Sequence, residues 1–364
     1  MINRLWSSLV RHIDRQLIIL VALLMGLGLA TLFSASGASF DRVLGQLANI
    51  AVALAVMWIA ANVPLHYLNR IALPLYVFGV ILLIAVDTFG MIVNGAQRWL
   101  NLGFTRIQPS ELMKIALPLM LAWYFDRYEA ILRLRNFAVG TVLVLVPVLL
   151  IAKQPDLGTA LLVAAAGFYV LFLAGLSWKL LVGLGLAGSA SLPFLWSMMH
   201  DYQRQRVLTL FDPSQDPLGA GYHTIQSTIA LGSGGFMGKG WLNGTQSHLD
   251  FLPERTTDFI FAVYAEEFGL VGNVVLMVLF LLVIGRGLVI AANAPTLFTR
   301  LLAGAITLTF FTYAFVNMGM VAGILPVVGI PLPLISYGGT SLVTILFGIG
   351  LLMSIHTHRR LVQT

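Results

Sequence analysis

The chain has 364 residues, of which 59% are hydrophobic and only 10% are charged. Soluble domains carry about 25% charged residues, so this composition excludes an ordinary water-soluble fold. Cysteine is absent, which excludes a disulfide framework and a thiolate nucleophile. The apolar residues form long blocks between short polar segments, and a membrane-spanning helix needs about 20 apolar residues. We therefore predict one all-α integral membrane domain over residues 1–364.

The apolar blocks predict about ten transmembrane helices, with both ends of the chain inside. The predicted spans are roughly 16–35, 44–62, 68–90, 108–125, 137–153, 156–176, 179–199, 257–285, 298–322 and 340–356. This orientation places most lysines and arginines of the short connections inside, as the positive-inside rule demands. The net charge of +6 is then explained by topology and by attraction to anionic lipid, not by nucleic-acid binding.

A large outer loop at about 200–256 joins the seventh and eighth predicted spans. Long loops in compact proteins are usually functional or disordered. Apolar turns within this loop favour order and predict short re-entrant or interfacial helices.

Asp258 opens the eighth predicted span on the outer side, directly after Thr256 and Thr257. This position is typical of a helix start, where a threonine caps the helix and an acid interacts favourably with the helix dipole. The alternative is a general base held at the mouth of the helical bundle. Glu266 and Glu267 lie deeper in the same span, where they either have a function or satisfy neighbouring helices.

Two other outer helix starts carry charged residues. Glu111 and Lys114 are three positions apart after Pro109, so their side chains can face each other on a helix. Asp156 precedes the sixth span and is expected either to cap its own helix or to share the Lys114 ammonium with Glu111. A charged side chain inside the membrane is energetically unfavourable and is usually paired. These residues therefore predict either a structural ion pair or the polar floor of a cavity.

Two outer segments are candidate ligand sites. Residues 232–240 read Gly-Ser-Gly-Gly-Phe-Met-Gly-Lys-Gly and fail as a Walker A motif, because the first glycine and the final Ser/Thr are replaced. They form either a turn-rich loop or, with Lys239, a loop that binds an anion. The polar and aromatic loop at 94–100 contains Trp99, which is either an interfacial anchor or a stacking surface for a ligand.

Four segments together resemble the motifs of the SEDS family (shape, elongation, division, sporulation), and they occur in the family's order. They are Gln-Pro-Ser-Glu at 108–111, Gln-Pro-Asp-Leu-Gly at 154–158, Gly-Trp-Leu-Asn-Gly-Thr-Gln-Ser-His at 240–248 running on to 262, and Pro-Leu-Ile-Ser-Tyr-Gly-Gly at 333–339. The resemblance covers nearly the whole chain. The form of the motif at 243–248 favours the RodA branch over its division relative FtsW.

The resemblance implies a peptidoglycan glycosyltransferase that polymerises lipid II into β-1,4 glycan strands during cell elongation. It implies a location in the bacterial cytoplasmic (inner) membrane, with the active site facing the periplasm or cell exterior. A class B penicillin-binding protein and the elongation machinery are the implied partners. Asp258 matches the family's proposed catalytic base, Trp99 another important position, and Glu111, Lys114 and Asp156 the polar residues of a central cavity.

The implied reaction inverts the sugar linkage, and a single displacement needs one base and a stabilised diphosphate leaving group. The candidates for binding the diphosphate are basic residues of the outer segments or a divalent cation, Mg²⁺ or Mn²⁺. These basic residues are Arg204, Arg206, Lys239 and Arg255, while Arg98 and Trp99 are further candidates for binding the substrate. Two alternatives remain: a lipid II flippase, and a non-catalytic scaffold for a penicillin-binding protein. The acids at helix starts cluster on the outer side only. A flippase would need access to both faces of the membrane, so this distribution favours the enzyme.

Overall fold

The computed structural model describes residues 12–93, 96–101, 106–128, 133–199, 204, 208–210, 212, 220–248 and 254–362. The helices are α1 Arg15–Ala35, α2 Phe40–Asn62, α3 Leu65–Phe89, α4 Pro109–Arg127, α5 Leu134–Lys153, α6 Leu157–Leu173, α7 Trp178–Met198, α8 Ala220–Ser233, α9 Thr245–His248, α10 Ile260–Ala292, α11 Leu297–Val321 and α12 Thr340–Val362. The strands are β1 Met91–Val93, β2 Ala96–Asn101 and β3 Arg106–Ile107.

The long helices coincide with the predicted spans, and the all-helical membrane architecture is confirmed. Within the described part of the chain, seven helices are long and apolar enough to cross a membrane: α1, α2, α3, α5, α10, α11 and α12. The other three predicted spans coincide with α4, α6 and α7. Charged residues at both ends make α4 less apolar, and α6 has only 17 residues. The number of ten spans therefore stays a prediction.

Helix α11 lies at the centre of the bundle, where it packs against α4, α6 and α10. In its most apolar window, 72% of the residues are buried, against 22% for α2. The outer helices expose large apolar side chains such as Leu23, Trp58 and Phe78, which suits contact with lipid tails. Polar groups on α4 and α11 must instead find partners inside the protein.

A small antiparallel sheet connects α3 to α4, in strand order β1-β2-β3. Met91 pairs with Trp99, and Leu100 pairs with Ile107. Only a polar and aromatic loop was predicted here, although the Asn-Gly pair at 94–95 is a strong hairpin signal. Since successive strand residues point to opposite faces, Arg98 and Trp99 project in opposite directions.

The large loop contains short helices, as predicted. Within the described part of 200–256, the structure has the 14-residue helix α8 and the four-residue helix α9. Helix α8 packs against α10. The segment that follows α8 is therefore held close to the first half of α10.

Helix α10 is kinked at Gly269, whose φ of 62° and ψ of −159° are not helical. Residues 234–240, here called the glycine loop, fill this kink. Its backbone hydrogen bonds join Lys239 N to Glu266 O (3.0 Å), Gly240 N to Glu267 O (2.9 Å) and Leu270 N to Gly235 O (3.0 Å). The amides of the glycine loop therefore satisfy groups freed by the kink. This arrangement supports the turn-rich interpretation over the anion-binding one.

Replacing Gly238 with alanine is expected to destabilise the protein by about 1–3 kcal/mol. A Cβ atom at Gly238 would lie 2.1 Å from the carbonyl oxygen of Glu267, and the φ of +81° disfavours any L side chain. Gly285 on α10 is the control, because a Cβ atom there would meet nothing within 4 Å. Thermal unfolding in detergent should show a lower melting temperature for Gly238→Ala only. Equal melting temperatures for Gly238→Ala and Gly285→Ala would contradict this explanation of the kink.

Candidate functional site

Asp258 lies in the turn at 254–259, here called the Asp258 turn, directly before α10. Phe259 occupies the N-cap position of α10, and no side chain caps this helix. The threonines at 256 and 257 hydrogen-bond elsewhere: Thr256 Oγ1 accepts from Arg42 Nη1 (3.2 Å), and Thr257 Oγ1 donates to Glu254 Oε2 (2.8 Å). The helix-cap interpretation of this segment is therefore wrong, because the helix begins two residues after Asp258.

Hydrogen bonds hold the backbone of the Asp258 turn against residues 323–339, here called the proline loop. Asn317 of α11 is fully buried and donates through Nδ2 to the carbonyl oxygens of Asp258 (2.8 Å) and Ile330 (2.7 Å). Two further bonds run from Ser336 Oγ to Thr257 O (2.7 Å) and from Tyr337 N to Thr256 O (2.9 Å). Asp258 is thus fixed by its backbone, which leaves its side chain available.

Asp258 lines an open cavity of about 220 Å³, here called the Asp258 cavity. Other lining residues include Thr257, Leu332, Leu334, Ser336, Tyr337, Ser341 and Ile345. Among the described residues, none donates a hydrogen bond to the Asp258 carboxylate. A Cβ atom at Gly329 would lie 3.4 Å from Asp258 Oδ2, so the glycine there leaves room beside the carboxylate.

Burial raises the pKa of Asp258 to about 6, and the nearby charge of Glu254 adds to the effect. A general base works best when its pKa lies near the working pH. The Asp258 carboxylate therefore combines an open position with a proton affinity suited to abstracting a proton.

Glu111 and Lys114 form the ion pair that their spacing on α4 predicts. Lys114 Nζ lies 2.6 Å from Glu111 Oε1, and Thr344 Oγ1 donates to Glu111 Oε2 at 2.9 Å. The Lys114 ammonium also lies 5.2 Å from the centre of the Tyr313 ring. Lys114 and Tyr313 line a second, smaller cavity of about 50 Å³, here called the central cavity, which is walled by α4, α10, α11 and α12. Both cavities reach Ile345, so they are neighbours.

Asp156 caps its own helix. Its Oδ1 accepts a hydrogen bond from Thr159 N (3.1 Å), and its Oδ2 accepts one from Gln108 Nε2 (3.0 Å). Arg98 Nη1 lies 3.9 Å from Asp156 Oδ1. Among the described residues, Lys114 pairs with Glu111 and not with Asp156. The prediction that Asp156 and Glu111 share the Lys114 ammonium is therefore wrong. The cap keeps Asp156 at the start of α6, where Gln108 and Arg98 reach it.

Glu266 is buried and organises the glycine loop and α9. Its Oε1 accepts hydrogen bonds from Lys239 Nζ (2.6 Å), Thr245 N (2.9 Å), Thr245 Oγ1 (3.0 Å) and Gln246 N (3.2 Å). The charge of the half-buried Lys239 ammonium is therefore balanced by Glu266. This pairing favours a structural role for Lys239 over the predicted role in binding an anion.

The remaining basic candidates lie in different places. Arg98 joins β2 to the turn before α6, through the carbonyl oxygens of Gln154 and Pro155. Arg204 donates to the carbonyl oxygens of Trp196 (3.0 Å) and Ser197 (2.8 Å) at the end of α7. Arg206 lies outside the described residues. Arg255 lies in the Asp258 turn itself and is the candidate brought closest to Asp258.

Sequence reasoning missed two residues of this site. Arg42 was not among the candidate residues, yet its guanidinium donates a hydrogen bond to Thr256 and lies 5.9 Å from the centre of the Tyr337 ring, at the edge of the Asp258 cavity. Asn317 had not been singled out. A side-chain amide inside an apolar span is energetically unfavourable unless it is hydrogen-bonded. The position of Asn317 in such a span was therefore a signal that could have identified it.

The fold and the site define a multi-pass helical membrane protein with a carboxylate-bearing cavity beside a polar centre. The family model described as "Cell cycle protein", which covers FtsW, RodA and SpoVE, matches residues 14–361. The chain belongs to this family, as its motifs had indicated.

Known relatives cover almost all of the chain. It is 53% identical over 353 residues to the peptidoglycan glycosyltransferase MrdB of Escherichia coli (strain K12), covering 97% of this chain and 95% of that protein. Among solved structures, a chain from a peptidoglycan synthase complex that coordinates polymerization and crosslinking superposes with a TM-score of 0.83 at 34% identity, covering 95% of this chain and 98% of that one. The rod shape determining protein RodA of Thermus thermophilus superposes with a TM-score of 0.72 at 32% identity, covering 95% and 97%.

Proposed function

We propose that this chain is a peptidoglycan glycosyltransferase that polymerises lipid II into β-1,4 glycan strands during cell elongation, with Asp258 as general base. The observation that carries the proposal is the Asp258 carboxylate. It faces an open cavity, accepts no hydrogen bond from the described residues, and has a pKa raised to about 6. The name of the Escherichia coli relative supports the reaction class.

The proposed chemistry is a single displacement at the anomeric carbon of the donor. Asp258 takes the proton from the acceptor 4-hydroxyl as the new C1–O4 bond forms. The bond from C1 to the diphosphate oxygen breaks on the opposite face, so the α-linked donor gives a β-linked product. One carboxylate is enough for this inversion, by analogy with inverting glycosidases, because no covalent intermediate has to form.

The departing diphosphate needs positive charge. Arg255 of the Asp258 turn and Arg42 at the edge of the cavity are the proposed ligands. Lys239, Arg98 and Arg204 are less suited, since their hydrogen bonds within the described part of the chain join other segments and none reaches the Asp258 turn. This choice narrows the diphosphate site to the side of the cavity formed by α2 and the Asp258 turn.

A divalent cation remains a proposal. Mg²⁺ is commonly held by one or two carboxylates together with substrate phosphates. Glu254, whose charge acts on Asp258, is the carboxylate that would hold it together with the substrate phosphates, because Asp258 has to stay free to take a proton. When bound, such an ion would neutralise charge on the diphosphate.

We further propose that the protein lies in the bacterial inner membrane with its Asp258 end facing the periplasm or cell exterior. The positive-inside rule supports this orientation. The segments assigned to the inside carry basic residues near helix ends that are far in sequence from the Asp258 turn: Arg15, Arg70, Arg127 and Arg286. The proposed partner is a class B penicillin-binding protein of the elongation machinery. The similarity to a chain of a peptidoglycan synthase complex supports this pairing.

The polymerisation rate is expected to rise as the pH increases through about 6. The base must be ionised to take a proton, and burial raises the pKa of Asp258 to about 6. The measurement is kcat/KM for lipid II from about pH 5 to about pH 8, a range that spans the pKa of Asp258. A profile that is flat across this range would contradict Asp258 as the titrating base.

The rival functions are separated by one assay. Purified protein, with and without its cognate class B penicillin-binding protein, is incubated with lipid II, and the length of the glycan products is measured. The enzyme makes strands in at least one of these conditions. A flippase or a scaffold makes none in either, provided that the partner's own polymerising activity is absent.

A further inference from the structure

Helix α11 presents a column of buried oxygens that the rest of the fold does not satisfy. Thr309, Tyr313 and Asn317 follow each other at a spacing of four residues and so share one face of the helix. Thr309 Oγ1, Tyr313 Oη and Asn317 Oδ1 are all buried, and no described residue hydrogen-bonds to them. Ser341 Oγ of α12 is in the same condition within the described residues. Buried polar atoms are nearly always paired with protein or with ordered water.

These oxygens follow the boundary between the two cavities. Tyr313 lines the central cavity, and Ser341 lines the Asp258 cavity. The Tyr313 hydroxyl lies near both the Lys114 ammonium and the Ser341 hydroxyl, but it makes a direct hydrogen bond to neither of them. The Lys114 ammonium has three donors, of which one is used by Glu111. Donors and acceptors therefore converge on one place without meeting each other.

We propose that ordered water occupies this boundary as a built-in binding site. The Lys114 ammonium and the hydroxyls of Tyr313 and Ser341 bind this water. Along α11, the column of oxygens continues in one direction to Asn317, which bonds the backbone of Asp258, and in the other to Thr309. A buried water typically makes about three hydrogen bonds, and these groups supply them. A metal cation is disfavoured there by the Lys114 ammonium, and an apolar ligand would leave the oxygens unpaired.

The water site explains how the Glu111–Lys114 pair is tolerated at membrane depth. Taking two charges out of water is costly unless their remaining hydrogen-bonding capacity is satisfied. Ordered water at Lys114 supplies that satisfaction and connects the ion pair to the cavity that contains Asp258. The inference concerns hydration and holds whether or not Asp258 is a catalytic base.

The test is hydroxyl-radical labelling of the full-length protein in detergent by a brief X-ray pulse, read by mass spectrometry. Radicals formed from bound water oxidise the side chains beside it, even when these side chains are buried. Tyr313 should be oxidised several-fold faster than Tyr264. Tyr264 is the matched control because both tyrosines are only 2% exposed, and its hydroxyl donates to Gly272 O at 2.9 Å. Equal rates for the two tyrosines would overturn the proposal.

A variant identifies the groups that hold the water. Ser341→Ala should lower the labelling of Tyr313 toward that of Tyr264. Ser354→Ala on the same helix is the control, because its hydroxyl already donates to Val63 O at 2.7 Å, and it should leave Tyr313 labelling unchanged. Both variants are compared at unchanged labelling of Tyr264, which reports an intact fold. Unchanged Tyr313 labelling in Ser341→Ala would contradict the proposed site.

Discussion

Replacing Glu266 with alanine is expected to lower the free energy of unfolding by about 3 kcal/mol. Glu266 is fully buried and accepts hydrogen bonds from the Lys239 ammonium and from backbone and side-chain donors of Thr245 and Gln246. Removing the carboxylate leaves these donors unsatisfied and the ammonium unpaired, and breaking a buried pair costs about 3–5 kcal/mol. Partial exposure of Lys239 places the expected loss at the low end of this range.

The measurement is thermal unfolding in detergent, with Asp87→Ala as the matched control. Asp87 also pairs with a lysine, Lys153, at 2.7 Å, but the lysine side chain is 72% exposed. Exposed ion pairs are worth about 0–1 kcal/mol, so Asp87→Ala should change the melting temperature little. A double variant, Glu266→Ala with Lys239→Met, should recover part of the loss because no ammonium is left unpaired. Equal losses from Glu266→Ala and Asp87→Ala would contradict the structural role of Glu266.

The positions of the helices were largely predictable from the sequence because hydropathy is a local property. A block of about 20 apolar residues has few alternatives to a spanning helix, and each predicted span coincides with a helix. Spacing along one helix was informative for the same reason: Glu111 and Lys114 had to face each other if α4 formed. The small sheet was missed because its hairpin signal was not used.

Contacts between distant segments could not be read from the sequence. The role of Lys239 depends on Glu266, which is 27 positions away and meets it only because α10 is kinked at Gly269. Asp156 was expected either to cap its own helix or to share the Lys114 ammonium, and it caps its helix while Gln108 donates to its other oxygen. In both cases the residue type was informative, while the partner was decided by packing.

The role of Asp258 stays a prediction, and the local structure of its segment differs from the one that the sequence favoured. The sequence favoured a helix cap, since threonines and an acid precede an apolar run. In the structure, hydrogen bonds from Asn317 and from the proline loop hold these residues in a turn instead. These tertiary contacts therefore stabilise a turn where the local sequence favours the capped start of a helix.

Replacing Asp258 with asparagine is expected to lower the polymerisation rate by about 100- to 10,000-fold, the usual contribution of a general base. Asparagine has nearly the same shape but cannot take a proton. It should not weaken the fold, because burial raises the pKa of Asp258 and ionisation above pH about 6 therefore opposes folding. The variant should melt at the same temperature as the wild type or higher. Asp41→Asn is the control, because Asp41 is exposed in the first turn of α2 and lies outside the Asp258 cavity.

The most direct test of the proposed function is polymerisation of lipid II by the purified protein together with its cognate class B penicillin-binding protein. Wild type, Asp258→Asn and Asp41→Asn are compared at matched folding, and the glycan strands are resolved by length. We expect strands from the wild type and from Asp41→Asn, and none from Asp258→Asn. Strands of equal yield from Asp258→Asn would contradict the assignment of Asp258 as the base, and an absence of strands from every sample would contradict the glycosyltransferase itself.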